Sequence, residues 1–90
     1  MGKIEMKEPY LEVTFRHGRP MAAYLYLPRS TGDKSYRTVR ADPGMIVDYR
    51  EDGQAIGIEI TAPSKITITD LNRVLDGLGM PRLTVDDVAP

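Results

Sequence analysis

Residues 45–60 constrain this chain more than any other stretch: Met45-Ile46-Val47-Asp48-Tyr49-Arg50, then Glu51-Asp52-Gly53-Gln54, then Ala55-Ile56-Gly57-Ile58-Glu59-Ile60. Two runs of alternating character flank an Asp-Gly pair, and Asp-Gly favours a type I′ turn because both central positions need positive φ. A two-residue Asp52-Gly53 loop pairs Tyr49 with Ile56, Val47 with Ile58 and Met45 with Ile60, which keeps six apolar residues on one face. A three-residue loop sets Asp48 against Ile56 and scrambles that pattern, so it is rejected; a four-residue loop keeps the register and stays open. Gly57 then lies across from Asp48, on the face that carries Ile46, Arg50 and Glu59.

Period-two signals extend upstream. Residues 10–15 place Leu11, Val13 and Phe15 on one side, and residues 21–27 do the same with Met21, Ala23, Leu25 and Leu27. Pairing Phe15 with Met21, Val13 with Ala23 and Leu11 with Leu25 keeps both sets together, with His17-Gly18-Arg19-Pro20 as the turn. Residues 36–41 read as a strand polar enough to be half exposed or at an edge, after a loop rich in Pro, Gly, Ser and Asp. After Ile60 the period becomes helical: Ile68, Leu71, Val74, Leu75 and Leu78 recur on one face, with Thr67 or Thr69 as N-cap and Gly79 at C′. The expected fold is α+β: an antiparallel β-meander of strands 10–15, 21–27, 36–41, 45–50 and 55–60, with a helix at about 69–78 packed on it. Ninety residues make a single domain, 1–90, with 1–9 and 81–90 as flexible or loosely docked tails. Thr84 to Val88 resembles the start of another helical turn.

A chain this short buries only about 60% of its unfolded surface. It has no cysteine, hence no disulfide or thiolate chemistry. One short helix covers one face of a five-stranded sheet, and the other face offers Ala22, Tyr24, Tyr26 and Ile46, less polar than a solvated face usually is. Burying that face against a second copy would add the missing area, so a homodimer is expected, with Tyr24, Tyr26 and Ile46 as partner face. The longest apolar run, Met21 to Leu27, is far short of the roughly 20 residues of a membrane span. The N-terminal residues lack the apolar core of a signal peptide, which makes the cytoplasm the expected compartment.

The net charge is −1, but residues 16–40 carry six cations and one acid while residues 41–90 carry four cations and nine acids. Such asymmetry suits a nucleic-acid or acidic-partner surface, unless folding interleaves the halves and cancels the field. Tyr24 and Tyr26 beside a strand with Tyr36, Arg37 and Arg40 could stack and hold single-stranded nucleic acid, with Arg37 and Arg40 as contacts. A sequence pI of about 5.7 speaks against that.

Catalytic signals are weak. Asp48-x-Arg50-x-Asp52-Gly53 with Glu59 at the twelfth position nearly matches a calcium loop, but Arg50 occupies a ligand position and the flanks alternate like strands. Arg50 beside Asp48 reads instead as a solvated charge cluster. His17, the only histidine, has no orienting acid or nucleophile next to it in sequence, and neither a metal-ligand spacing nor a phosphate-binding glycine motif is present. No catalytic residue, metal or cofactor is expected.

Ala23-Tyr24-Leu25-Tyr26-Leu27, followed by Gly44 to Ile60 with its Val47-Asp48-Tyr49, Glu51-Asp52-Gly53 and Gly57-Ile58-Glu59-Ile60 elements, resembles the bacterial domain-of-unknown-function family number 2283 over roughly residues 20–62. The segment Asp70 to Leu75 with Leu78-Gly79 is similar to an extension in some members. Arg19-Pro20-Met21-Ala22 replaces the acids that often precede the Tyr strand, and Arg50 stands where an acid is common. The resemblance implies a small antiparallel sheet without assigned activity and, because members are sometimes encoded beside toxin-like genes, an antitoxin-like role toward a small protein partner. The expected function is therefore a non-enzymatic interaction module, with nucleic-acid binding through 16–40 as the alternative.

Overall fold

The computed structural model describes residues 5–6, 9–30, 33–41 and 43–84. Its main sheet has five antiparallel strands: β2 (Tyr10–Arg16), β3 (Arg19–Tyr26), β5 (Arg37–Ala41), β6 (Met45–Tyr49) and β7 (Ala55–Ile60). The strand order is β2-β3-β7-β6-β5. A β2–β3 hairpin thus sits beside a β5–β6–β7 meander, and the two are joined where β3 pairs with β7. The connection after β3 carries β4 (Arg29–Ser30), which pairs with β1 (Glu5–Met6) in a separate two-stranded sheet. A 3-10 turn, Pro63–Lys65, leads to the helix α1 (Ile68–Gly77). The expected α+β architecture stands, with β5 at an edge. The expectations for residues 1–4, 7–8 and 85–90, including the turn after Thr84, lie outside the described residues.

Cross-strand pairs place Leu11, Val13, Ala23, Leu25, Ile58, Ile60, Val47 and Met45 on one face. There they meet Leu71 and Leu75 of α1, with Ile68, Val74 and Leu78 packed around them. Leu25, Met45, Ile58 and Leu75 are essentially fully buried, each contributing roughly 1.5–3 kcal/mol of transfer free energy. The chain beyond α1 is held as well: Asn72 accepts from the Leu83 backbone N–H and donates to its carbonyl, and Leu83 is buried.

Both hairpins depart from the simple registers, and each does so through a bulge. In β2–β3, His17 (φ +53°) and Gly18 (φ +75°) form the turn, so Arg16 pairs with Arg19 and Phe15 with Pro20 rather than Met21. The register shifts between Thr14 and Phe15, which leaves Met21 as the extra residue, and the expected Val13–Ala23 and Leu11–Leu25 pairs follow. β7 pairs with β3 only from Ala23 to Tyr26, so this tip extends past the core, and Phe15 (60% exposed) and Met21 (49%) stay outside it.

In β6–β7 the rejected three-residue loop is the one that forms. Arg50 N–H donates to the Gln54 carbonyl and Gly53 N–H to the Arg50 carbonyl, with Gly53 at φ +91°. Tyr49 pairs with Ala55 instead of Ile56, and a bulge at Ile56 restores the expected Val47–Ile58 and Met45–Ile60 pairs. The polarity conflict that argued against this loop disappears because Ile56 drops out of the pairing.

Thr67 is the N-cap of α1. Its hydroxyl accepts from the Asp70 N–H at 3.1 Å, and the Asp70 carboxylate accepts from the Thr67 N–H at 3.0 Å, a closed capping box. At the other end Met80 N–H donates to Leu75 and Gly79 N–H to Asp76, with Gly79 at φ +69°, a Schellman motif. The Thr67 N–H holds the Asp70 carboxyl below the ordinary carboxylate range, and the Arg82 guanidinium does the same for Asp76. Thr67→Ala should cost about 1 kcal/mol in urea unfolding. Carboxyl groups depressed in the folded state stabilise it above their unfolded pKa, and that contribution is lost as pH falls through the folded value. The melting temperature should therefore fall below about pH 4, less steeply in Asp70→Asn than in wild type.

Candidate functional site: the open face of the sheet

The face opposite α1 follows from the same register. One row of directly paired residues crosses all five strands: Glu12, Tyr24, Glu59, Ile46 and Arg40. The neighbouring row reads Tyr10, Tyr26, Gly57, Asp48 and Thr38. Tyr24, Tyr26, Ile46 and Asp48 are half-buried, whereas Glu12, Glu59, Thr38 and Arg40 are exposed. The expected partner-face residues Tyr24, Tyr26 and Ile46 do share this face.

Tyr10, 56% exposed, joins them: its ring lies 5.9 Å from that of Tyr26, which lies 4.7 Å from that of Tyr24. Tilted aromatic contacts in this range favour a fixed ring array. The signal for Tyr10 was present in the sequence, since the Leu11–Leu25 register already implies Tyr10 opposite Tyr26.

Asp48, expected to form a charge cluster with Arg50, and Gly57 organise the centre. The Tyr24 hydroxyl donates to Asp48 Oδ2 at 2.7 Å. The ring crosses Gly57, and a Cβ there would overlap the phenol. Glycine at 57 is therefore a steric requirement, and Asp48 holds Tyr24 instead of pairing with Arg50. Arg50 binds Asp52 at 2.7 Å and Asp33 at 3.1 Å. This pairing holds the Asp52 carboxyl below its ordinary range, helped by the Gln54 N–H, and raises the Arg50 guanidinium.

The strand arginines of 16–40 do not converge. Arg16 and Arg19 lie at the tip of the β2–β3 hairpin, while Arg37 and Arg40 lie on β5 at the far edge. Four strand spacings separate those edges, about 19 Å. Arg37 and Arg40, expected to act together, also face opposite ways: Arg37 sits opposite Tyr49, its guanidinium 5.0 Å from the ring centroid, and Arg40 sits opposite Ile46 on the open face. Three carboxylates (Glu12, Asp48 and Glu59) lie beside the tyrosines on the open face, with Arg40 at its far edge.

His17 is exposed in its turn. An open cleft of about 620 Å³ is lined by Asp33, Lys34, Ser35, Tyr36, Arg50, Glu51 and Asp52 and does not include it. Among the described residues no group of three or more His, Asp or Glu side chains is placed to hold a metal ion, and no helix is long and apolar enough to cross a membrane.

These features define a small antiparallel α+β protein whose sheet is covered by a helix on one side and presents tyrosines flanked by carboxylates on the other. Residues 22–63 match the family model described as a protein of unknown function, DUF2283, the family on which the sequence resemblance rests. No curated protein and no solved structure matches significantly. The matched segment contains Tyr24, Asp48 and Gly57, so the Tyr strand and the Asp-Gly hairpin of the resemblance are joined physically by the phenol–carboxylate bond across the glycine. Gly57→Ala should destabilise by about 1–3 kcal/mol through overpacking. In a double-mutant cycle read by urea unfolding, most of that cost should vanish in a Tyr24→Ala background.

Proposed function

We propose that this chain is a non-enzymatic interaction module that docks on a protein surface through the open face of its sheet. The observation that carries this reading is the array of an exposed Tyr10 with half-buried Tyr26, Tyr24 and Ile46, lying on the face that α1 leaves uncovered. Tyrosines held by ring contacts and a carboxylate lose little freedom on binding, which suits them as anchors. Nucleic-acid binding has less support, because phosphate contacts need clustered cations. Arg16 and Arg19 lie on the hairpin at one edge and Arg37 and Arg40 at the other, and acids flank the aromatic array.

A photoreactive phenylalanine analogue placed at Tyr10 in the full chain tests the reading in the cells that make it. The expected result is a covalent adduct with one protein from position 10 and none from the same analogue at Arg73, exposed on α1. Adducts only to nucleic acid, or equal adducts from both positions, would refute it. Arg37→Ala, which changes the opposite face of β5, should leave the salt dependence of complex formation unchanged, where a phosphate-driven complex would lose part of a steep slope.

A further inference from the structure

The row that crosses the open face has a polarity that bears on what covers it. From edge to edge it runs acid, aromatic, acid, aliphatic, base: Glu12, Tyr24, Glu59, Ile46, Arg40. Among the described residues no ion pair engages Glu12, Glu59 or Arg40. A row with an acid at one edge and a base at the other is complementary to its own reverse.

We infer that the occupant of the open face is a second copy of this chain, packed face to face about a two-fold axis parallel to the strands, with Glu12 of each copy meeting Arg40 of the other. This rests on the docking reading above and specifies its partner. A two-fold axis along the strands maps each position across the sheet onto its mirror position in the facing sheet, while leaving its height along the strands unchanged. Glu12 at one edge then opposes Arg40 of the partner copy, and Arg40 opposes the partner copy's Glu12. One step inward, Tyr24 packs against Ile46 of the other copy, twice. The adjacent row supplies Tyr26 against Asp48, a phenol facing a carboxylate. Such self-complementary contact is what an isologous dimer requires, and sheets packed this way stand about 10 Å apart with nearly aligned strands.

The other in-plane axis, running across the strands, fits worse. It keeps each edge on its own side, so Arg40 approaches the edge bearing Arg40, and Glu12 approaches the edge bearing Glu12. Like charges would gather at both margins.

The strand-parallel axis has one unfavourable element, and that element identifies it. Glu59 lies on the central strand, so it meets Glu59 of the other copy at the axis. Removing that carboxylate charge should strengthen the dimer, which no merely structural role for an exposed glutamate predicts.

The experiment is sedimentation velocity on the purified full chain over a concentration series, with urea unfolding to show that each variant is folded. Wild type should dimerise. Arg40→Glu and Glu12→Arg should each weaken the dimer by at least about tenfold, the double variant carrying both should return to within about threefold of wild type, and Glu59→Gln should tighten the dimer by about tenfold. A dimer that ignores these changes, or that the double reversal fails to restore, overturns the geometry. Wild type that stays monomeric throughout, while position 10 cross-links to a different protein in cells, overturns the second-copy occupant and leaves the docking reading standing. Absence of both the dimer and the cross-link overturns both.

Discussion

The pairing of β3 with β7 is the contact on which the rest of this structure depends. Ala23 to Tyr26 run against Gly57 to Ile60, and without that ladder the β2–β3 hairpin and the β5–β6–β7 meander are separate pieces, each too small to bury a core. Leu25 and Ile58, directly opposite one another, are 1% and 0% exposed. On the reverse side Tyr24 reaches across the β7 backbone at Gly57 to Asp48 on β6. The joint is fastened from both faces: by apolar burial under α1, and by a charge-assisted hydrogen bond on the open side.

Much of this architecture was legible before any coordinates. The strands fell where alternation placed them, because one face of each must be buried and a one-residue slip would expose it. The helix was readable from its period, and Gly79 from the chemistry of helix ends, which also narrowed the N-cap to Thr67 or Thr69. The loop lengths were not readable. Counting parity through a turn assumes an unbroken ladder, and a bulge breaks that assumption while leaving the core pairs intact, as Met21 and Ile56 both do. Strand order was not readable either: the strand expected beside residues 21–27 was 36–41, and the sheet sets β7 there, since alternation tells which face a residue takes and says nothing about which strand lies beside it.

The site was legible in part. Tyr24, Tyr26 and Ile46 followed from parity, and they share the face assigned to them. Arg37 and Arg40 were paired on the strength of their nearness in sequence, but three positions apart on a strand means opposite faces, and the sheet sets their strand at the far edge from Arg16 and Arg19. The role of Asp48 was hidden by Arg50, a nearer partner in sequence that binds Asp33 and Asp52. Gly57 could be seen to oppose Asp48, but the ring lying over it belongs to a strand that only the topology brings alongside.

The two bulges carry a consequence for how such a chain tolerates change. Each sits between a turn and the paired core, at Met21 in one hairpin and Ile56 in the other. A bulge is a place where a strand already holds one residue more than its partner, so it acts as slack in the register. Gaining or losing a single residue at either turn can be taken up there before it reaches Leu25, Val47 or Ile58. The tips of this protein are thereby uncoupled from its interior, and related chains can vary in turn length while their buried pairs keep step.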